Sequence, residues 1–144
     1  MKIVFFVFFF AFTFQYSSTV AQNTLTKEQI QFLQVLKSSL EQKEILKFLN
    51  KNDFFIDGKI YVTNNQSPME GLNHTLKLKS GEYVKIQSNA DLFFYAIKKH
   101  LAVSEYEISE NNSRLVLNLS GNFSITSTLE FNKGWNVTGH SISE

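Results

Sequence analysis

The sequence between residues 121 and 142 reads GNFSITSTLEFNKGWNVTGHSI and alternates between apolar and polar residues over most of its length. Lys133-Gly134 interrupts the alternation with a turn signal, so the segment predicts two antiparallel strands, Phe123–Phe131 and Trp135–Ile142. In the first strand, one face is formed by Phe123, Ile125, Leu129 and Phe131 and the other by Ser124, Thr126, Thr128 and Glu130. This pattern is typical of an antiparallel sheet with one buried and one solvated face.

The period of two continues upstream and predicts further strands of the same sheet. They are Phe54–Val62, Leu72–Lys79, Glu82–Gln87, Glu105–Ser109 and Arg114–Leu119. The first of them contains Asp57-Gly58, a preferred pair for a tight type I′ hairpin turn. We therefore expect a curved antiparallel sheet of about six strands, which ends in a four-strand meander.

Two helical regions are predicted beside these strands. In the first, Thr26 is the N-cap and Gln29 the N3 residue of a capping box. Ser39 begins a second capping box, so Thr26–Asn50 is predicted to be one kinked helix or two helices nearly end to end. The second region is predicted over Ala90–Ala102. Near its C-terminus, where positive charge suits the helix dipole, lie Lys98, Lys99 and His100.

The order of these elements resembles that of the NTF2-like superfamily, which includes ketosteroid isomerases and many small exported bacterial domains. In residues, the resemblance is carried by the tail of the chain, at Gly121–Ile125, Leu129–Phe131 and Gly134–Val137. It implies an α+β fold in which an N-terminal helix or helix pair and a second helix pack on a cone-shaped sheet. A cystatin-type or other helix-on-meander domain has a similar pattern.

The N-terminus predicts a cleavable signal peptide over Met1–Ala21. Lys2 precedes an apolar run from Ile3 to Phe14, and small residues lead to a cleavage site between Ala21 and Gln22. A transmembrane anchor is the alternative. A spanning helix needs about 20 apolar residues, however, and the run from Ile3 to Phe14 has 12. We expect export to the bacterial periplasm or beyond the cell. Residues 22–144 then form one domain, with no membrane attachment after cleavage.

Composition excludes several classes of function. The chain has no cysteine, so it has no disulfide, thiolate nucleophile or cysteine zinc site. Without Lys2, its basic residues equal the 13 acidic ones, and a neutral domain lacks the clustered charge that nucleic acid requires. The histidines have no spacing that suggests metal ligation. We therefore expect no cofactor, no metal and no nucleic-acid partner.

Catalytic motifs are also absent from the sequence. Isomerase chemistry on the resembled fold requires an aspartate base and an oxyanion hole formed by a tyrosine and a protonated acid. The first helix has no tyrosine, so the leading hypothesis is a non-enzymatic binding or interaction domain. The alternative is a small pocket isomerase, dehydratase or hydrolase that uses Tyr61, Asp57 and His140. The residues expected to contact a small apolar ligand are Tyr61, His74, Tyr95, Trp135 and His140.

Three consecutive aromatic residues, Phe93-Phe94-Tyr95, lie on the second predicted helix. Successive helical residues turn by about 100°, so three neighbours cannot all face the core. Phe94 is predicted to be exposed or to lie in an interface. We expect this surface, or the strand face beside it, to contact a protein partner or a second copy in a homodimer.

Overall fold

A computed structural model describes residues 24–63, 71–110 and 114–144, and the predicted signal peptide therefore lies outside the described residues. The described residues form three helices and seven strands. The helices are α1 (Lys27–Leu40), α2 (Lys43–Lys51) and α3 (Asn89–Phe94). The strands are β1 (Lys59–Thr63), β2 (His74–Lys77), β3 (Tyr83–Gln87), β4 (Leu101–Ile108), β5 (Arg114–Ser120), β6 (Ser124–Phe131) and β7 (Trp135–Ser143).

The strands form one curled sheet in the order β2-β3-β1-β4-β5-β6-β7, on which the helices pack. The α+β class predicted from the sequence is confirmed. The sheet is mostly antiparallel, but β1 runs parallel to both of its neighbours, β3 and β4. Asp57 and Gly58 do form a tight turn, with φ of 49° and 70°, closed by hydrogen bonds between Ile56 and Lys59. No long hairpin follows it, because β1 continues into the parallel pairing.

The first helical region is divided into two helices. Thr26 and Gln29 form the predicted capping box, in which each side chain bonds the other residue's backbone N–H. The predicted second cap at Ser39 is wrong, because α2 begins after Gln42. Ser39 instead lies fully buried within α1, and its hydroxyl is hydrogen-bonded to that of Ser127 on β6. This bond fixes the helix on the sheet.

Large aliphatic and aromatic side chains fill the space between the helix pair and the sheet. Their burial removes apolar surface from water and is the main source of stability in a chain without disulfides. Side chains with no exposed surface come from both helices and from five strands. The largest are Phe32, Leu36, Leu40, Ile45, Leu49, Ile60, Ile86, Leu101, Leu117 and Leu119.

Two single-residue bulges change which residues of β4 and β7 face the helices. Pairing between β6 and β7 passes from Thr128–Gly139 to Leu129–Val137, which leaves Thr138 as the extra residue. Pairing between β4 and β5 shifts in the same way at Ser104. Because one residue is added, the side chains beyond such a bulge point to the opposite face of the sheet from the one that strict alternation would give. His140 therefore lies beside the buried Ser127, on the helix side of the sheet.

The second predicted helix is much shorter than Ala90–Ala102, because α3 ends at Phe94. The N–H groups of Ala96 and Ile97 donate to the carbonyls of Phe93 and Leu92, and Ala96 has φ of 54°. These two bonds form a Schellman motif, which terminates a helix. The prediction that Lys98, Lys99 and His100 lie at a helix C-terminus is therefore wrong. They lie in a segment without regular secondary structure that leads into β4.

Candidate functional site

The structure places the five predicted ligand-binding residues in separate parts of the domain. Tyr61 is half-buried on β1, and His74 begins β2. Tyr95 follows α3 and is exposed. Trp135 is buried at the start of β7, where its ring packs edge-on against Phe131 with 5.5 Å between centroids. His140 lies further along β7.

A row of side chains crosses the sheet on the helix side and includes several polar groups. The strand register aligns Tyr106, Leu117, Ser127 and His140 from β4 to β7. His140 Nε2 lies 2.7 Å from Glu44 Oε2 on α2. A serine, a histidine and a carboxylate are the residue types of a hydrolytic triad. Ser127, however, is fully buried and bonded to Ser39, so its hydroxyl is closed to a substrate.

Tyr106 lies at the other end of this row. Its ring packs edge-on against Phe32, with 5.4 Å between centroids. Within the described part of the chain its hydroxyl has no hydrogen-bond partner, although it is shielded from solvent. Burial disfavours the charged phenolate and raises the pKa of Tyr106 to about 12. The neutral phenol is therefore favoured on a half-buried side chain that packs against the core.

A cleft of about 420 Å³ lies at one end of the sheet, where three chain segments meet. One segment connects α2 to β1, one leads into β4, and one is the turn between β5 and β6. The residues that line the cleft are Asn52, Phe54, Lys98, Lys99, His100, Ala102, Ser120, Gly121, Asn122 and Phe123. A volume of this size lies within the range of small-molecule sites.

Aromatic rings form the floor of this cleft. Phe123 packs edge-on between Phe48 and Phe54, with centroid separations of 4.6 and 5.0 Å. A methyl group built on Gly121 would contact Phe54, Phe123 and the carbonyl of His100 at 3.6–3.7 Å. All three contacts belong to lining residues, so a side chain at Gly121 would lie against the lining of the cleft at ordinary van der Waals distance.

Cationic side chains form the rim. Lys99 Nζ lies 5.9 Å from the centroid of Phe54 and donates a 2.9 Å hydrogen bond to the carbonyl of Asn52. An ammonium group has three N–H donors, so two remain for a ligand. Lys98 and His100 line the cleft beside it, and the described residues that line it include no aspartate or glutamate. The cleft thus presents positive charge above an apolar floor.

His100 also has a hydrogen-bonding group that the described residues leave unpaired. Its Nδ1 is shielded from solvent and has no partner among residues 24–63, 71–110 and 114–144. A shielded ring nitrogen without a partner raises the free energy of the folded state unless a bound group or water satisfies it. Sequence reasoning missed this cleft, because Lys98, Lys99 and His100 were attributed to a helix end.

A second cleft, of about 550 Å³, lies near the start of α1. It includes His74, one of the predicted ligand-binding residues. Its other lining residues are Thr24, Leu25, Thr26, Gln29, Gly71, Leu72 and Asn73. No lysine, arginine, aspartate or glutamate is among these described lining residues, whereas two lysines line the first cleft.

The aromatic side chains of α3 form an exposed surface next to the first cleft in sequence. Phe93, Phe94 and Tyr95 have exposed fractions of 90%, 80% and 61%. Exposure of Phe94 was predicted, and the structure confirms it. We call these three residues the aromatic patch.

The described residues contain no group of three or more histidine, aspartate or glutamate side chains that could hold a metal ion. None of the three helices is long and apolar enough to cross a membrane within the part of the chain that the structure covers. No family model, curated protein or solved structure matches this chain significantly.

Proposed function

We propose that this protein is an exported, non-enzymatic binding domain that takes a small organic anion in the cleft between Lys98–His100 and the β5–β6 turn. The observation that carries the proposal is the Lys99 ammonium above Phe54, in a cleft whose described lining residues include two further basic side chains and no acid. Ligand sites combine an apolar lining with a few orienting polar groups. This cleft has both features.

Lys99 supplies a positioned charge. Its hydrogen bond to the Asn52 carbonyl holds the side chain in place before a ligand arrives. A carboxylate or sulfonate that accepts from the ammonium gains a charge-assisted hydrogen bond, which is stronger than a neutral one. Because the lysine is already ordered, less side-chain entropy is lost on binding.

Phe54, Phe123 and the bare backbone of Gly121 supply a surface for the apolar body of the ligand. The preferred ligand class is therefore an anion that carries a flat or compact apolar group. This extends the small apolar ligand expected from the sequence by adding a negative charge. The alternative of a pocket enzyme has less support, since His140 and Glu44 meet at the surface rather than in an enclosed pocket.

Export and superfamily membership belong to the same proposal. The leader-like sequence of Met1–Ala21 supports export. The curled sheet with helices packed against it supports an NTF2-like cone. The parallel pairing of β1 with β3 and β4 is a specific feature of this sheet. It can be compared directly with the strand pairing in an experimental structure of a relative.

The proposal is tested by titration with two probes of matched shape, 1-naphthoate and 1-naphthylmethylamine, followed by amide chemical shifts and calorimetry. We expect naphthoate to bind more tightly and to shift the amides of His100, Gly121 and Phe123. Lys99→Gln should weaken naphthoate binding by about tenfold to a hundredfold, since a charge-assisted bond is worth about 1.5–3 kcal/mol. Gly121→Leu should block both probes by filling the cleft.

Lys47→Gln, which removes an exposed lysine from α2, is the matched control and should leave binding unchanged. Circular dichroism of each variant separates lost binding from lost folding. Equal affinity for the two probes, or amide shifts confined to other parts of the domain, would refute the proposed site. An unchanged affinity in both the Lys99 and the Gly121 variants would refute it as well.

A further inference from the structure

The aromatic patch is exposed because α3 attaches to the domain through other residues. Leu92 is 3% exposed and is the buried anchor of the helix. Ile97, which bonds back to the Leu92 carbonyl, is half-buried. The Schellman motif holds the three aromatic residues between these two points, so they project away from the core. Phe94 and Tyr95 pack edge-on at 5.2 Å, which keeps them together.

Large apolar side chains exposed in a cluster mark a surface that contacts a partner or a membrane. An aromatic side chain buries about 150–250 Å² when it is covered, so three offer roughly 500 Å². A standard protein–protein interface buries about 800 Å² on each partner. The patch is too small to hold a stable dimer by itself, but insertion of a few aromatic rings is enough for contact with a bilayer interface.

The lysines that follow the patch in the chain favour an anionic surface as its partner. Lys98 and Lys99 follow Tyr95 closely and are exposed. Asp91, the single acid between residues 89 and 100, accepts a hydrogen bond from the Ser88 hydroxyl at the N-cap. In a two-fold dimer the same patch would meet its copy and bring the lysines of both subunits together. Anionic lipid headgroups instead provide charge of the opposite sign.

We propose that the aromatic patch and the two lysines dock the protein on the surface of a membrane that contains anionic lipid. The rings enter the boundary between headgroups and acyl chains, while the exposed ammonium groups of Lys98 and Lys99 contact the phosphates. The attachment is peripheral and reversible. Lys98 and Lys99 also line the proposed ligand cleft, but Phe93 and Phe94 do not, so the patch variants test membrane binding separately from ligand binding.

Vesicle flotation measures this binding directly, with mixed phosphatidylglycerol–phosphatidylcholine vesicles compared with pure phosphatidylcholine vesicles. The exported protein is used, and its intact mass is expected to show that it begins at Gln22. Each lysine near an anionic surface contributes roughly a fivefold gain in affinity. We therefore expect about 25-fold tighter binding to the mixed vesicles, which is lost in Lys98→Gln/Lys99→Gln and weakened by added salt.

The double variant Phe93→Ser/Phe94→Ser should reduce binding at least about tenfold, since affinity scales with the apolar area inserted. Ile30→Ser/Phe131→Ser is its matched control, because it removes two other exposed apolar side chains and should leave binding unchanged. Phe94→Trp gives a direct readout. Its fluorescence should shift to the blue with vesicles and be quenched by brominated lipid, whereas the buried Trp135 of the parent protein should not respond.

Equal binding to both kinds of vesicle, or equal loss in the patch variant and its control, would overturn the proposal. A dimer in light scattering that dissociates in Phe93→Ser/Phe94→Ser would also overturn it, and would show that a second copy covers the patch. All variants share one N-terminus, so differences between them report on the patch and not on the leader.

Discussion

Ser39 and Ser127 provide a test of how the helix pair is held on the sheet. Both residues are fully buried, and their hydroxyl groups bond to each other between α1 and β6. Replacement of either serine by alanine leaves the other hydroxyl buried without this partner. An unsatisfied buried hydroxyl costs about 1–3 kcal/mol, whereas removal of both partners of a hydrogen bond is close to neutral. The two substitutions should therefore be strongly non-additive.

We expect Ser39→Ala and Ser127→Ala each to lower the free energy of unfolding by about 1–3 kcal/mol. The double variant should lose less than the sum of the two, with a coupling energy of at least about 1 kcal/mol. Urea denaturation followed by circular dichroism resolves such differences. With a slope of about 2 kcal/mol per molar, each kilocalorie moves the midpoint by roughly half a molar.

Ser141→Ala is the control, because Ser141 is exposed on β7 and should change the unfolding free energy by less than about 0.5 kcal/mol. The alternative is that the Ser39 hydroxyl bonds within its own helix. A serine within a helix is able to bond a carbonyl one turn earlier, and this bond would satisfy Ser39 without Ser127. Small, additive effects of the two substitutions would show that the helix satisfies its own serine and would refute the reasoning.

Two further variants test local features of the fold. Tyr106→Phe should raise the unfolding free energy by about 1 kcal/mol, because it removes a buried hydroxyl that has no partner among the described residues. Because burial raises the pKa of Tyr106 from 10.0 to about 12, the phenol ionises at lower pH in the unfolded chain than in the folded domain, so the free energy of unfolding falls as the pH rises from about 10 to 12. Denaturation across this range should show a steeper decline in the parent than in Tyr106→Phe, and parallel curves would contradict the assignment. Ala96→Gly should stabilise the domain by about 0.5–1 kcal/mol, since Ala96 has φ of 54°, which glycine adopts without strain. A fall in melting temperature would contradict this, and Ala102→Gly on β4 is the control expected to destabilise.

The C-terminal meander and the start of α1 could be predicted because their signals are local. Alternation with a period of two requires one face of a strand to meet the core, and a capping box satisfies backbone groups three residues apart. The α3 region was misjudged, because its apolar residues match a helical period up to Leu101. The helix ends where Ala96 adopts a left-handed conformation. Because this residue is an alanine, the sequence carries no glycine signal there.

The candidate site was harder to predict than the fold. Tyr61, His74, Tyr95, Trp135 and His140 were selected by residue type, and the tertiary structure sets them in separate places. Lys99, Phe54 and Gly121 meet in one cleft although they are far apart in the chain. Their proximity depends on the docking of three segments at one end of the sheet, and no local spacing encodes it.

The sequence by itself determined the α+β class, the start of α1, the tight turn at Asp57-Gly58 and the exposure of Phe94, since each follows from the pattern of neighbouring residues. It left open whether Thr26–Asn50 is one kinked helix or two. Only the tertiary structure decided the parallel pairing of β1, the bulges at Ser104 and Thr138 and the cationic cleft. The bulge at Thr138 shows the reason: one extra residue turns His140 from the outer face to the helix side, where it meets Glu44. Its position depends on the register between two strands, which is fixed when the whole sheet curls around its core.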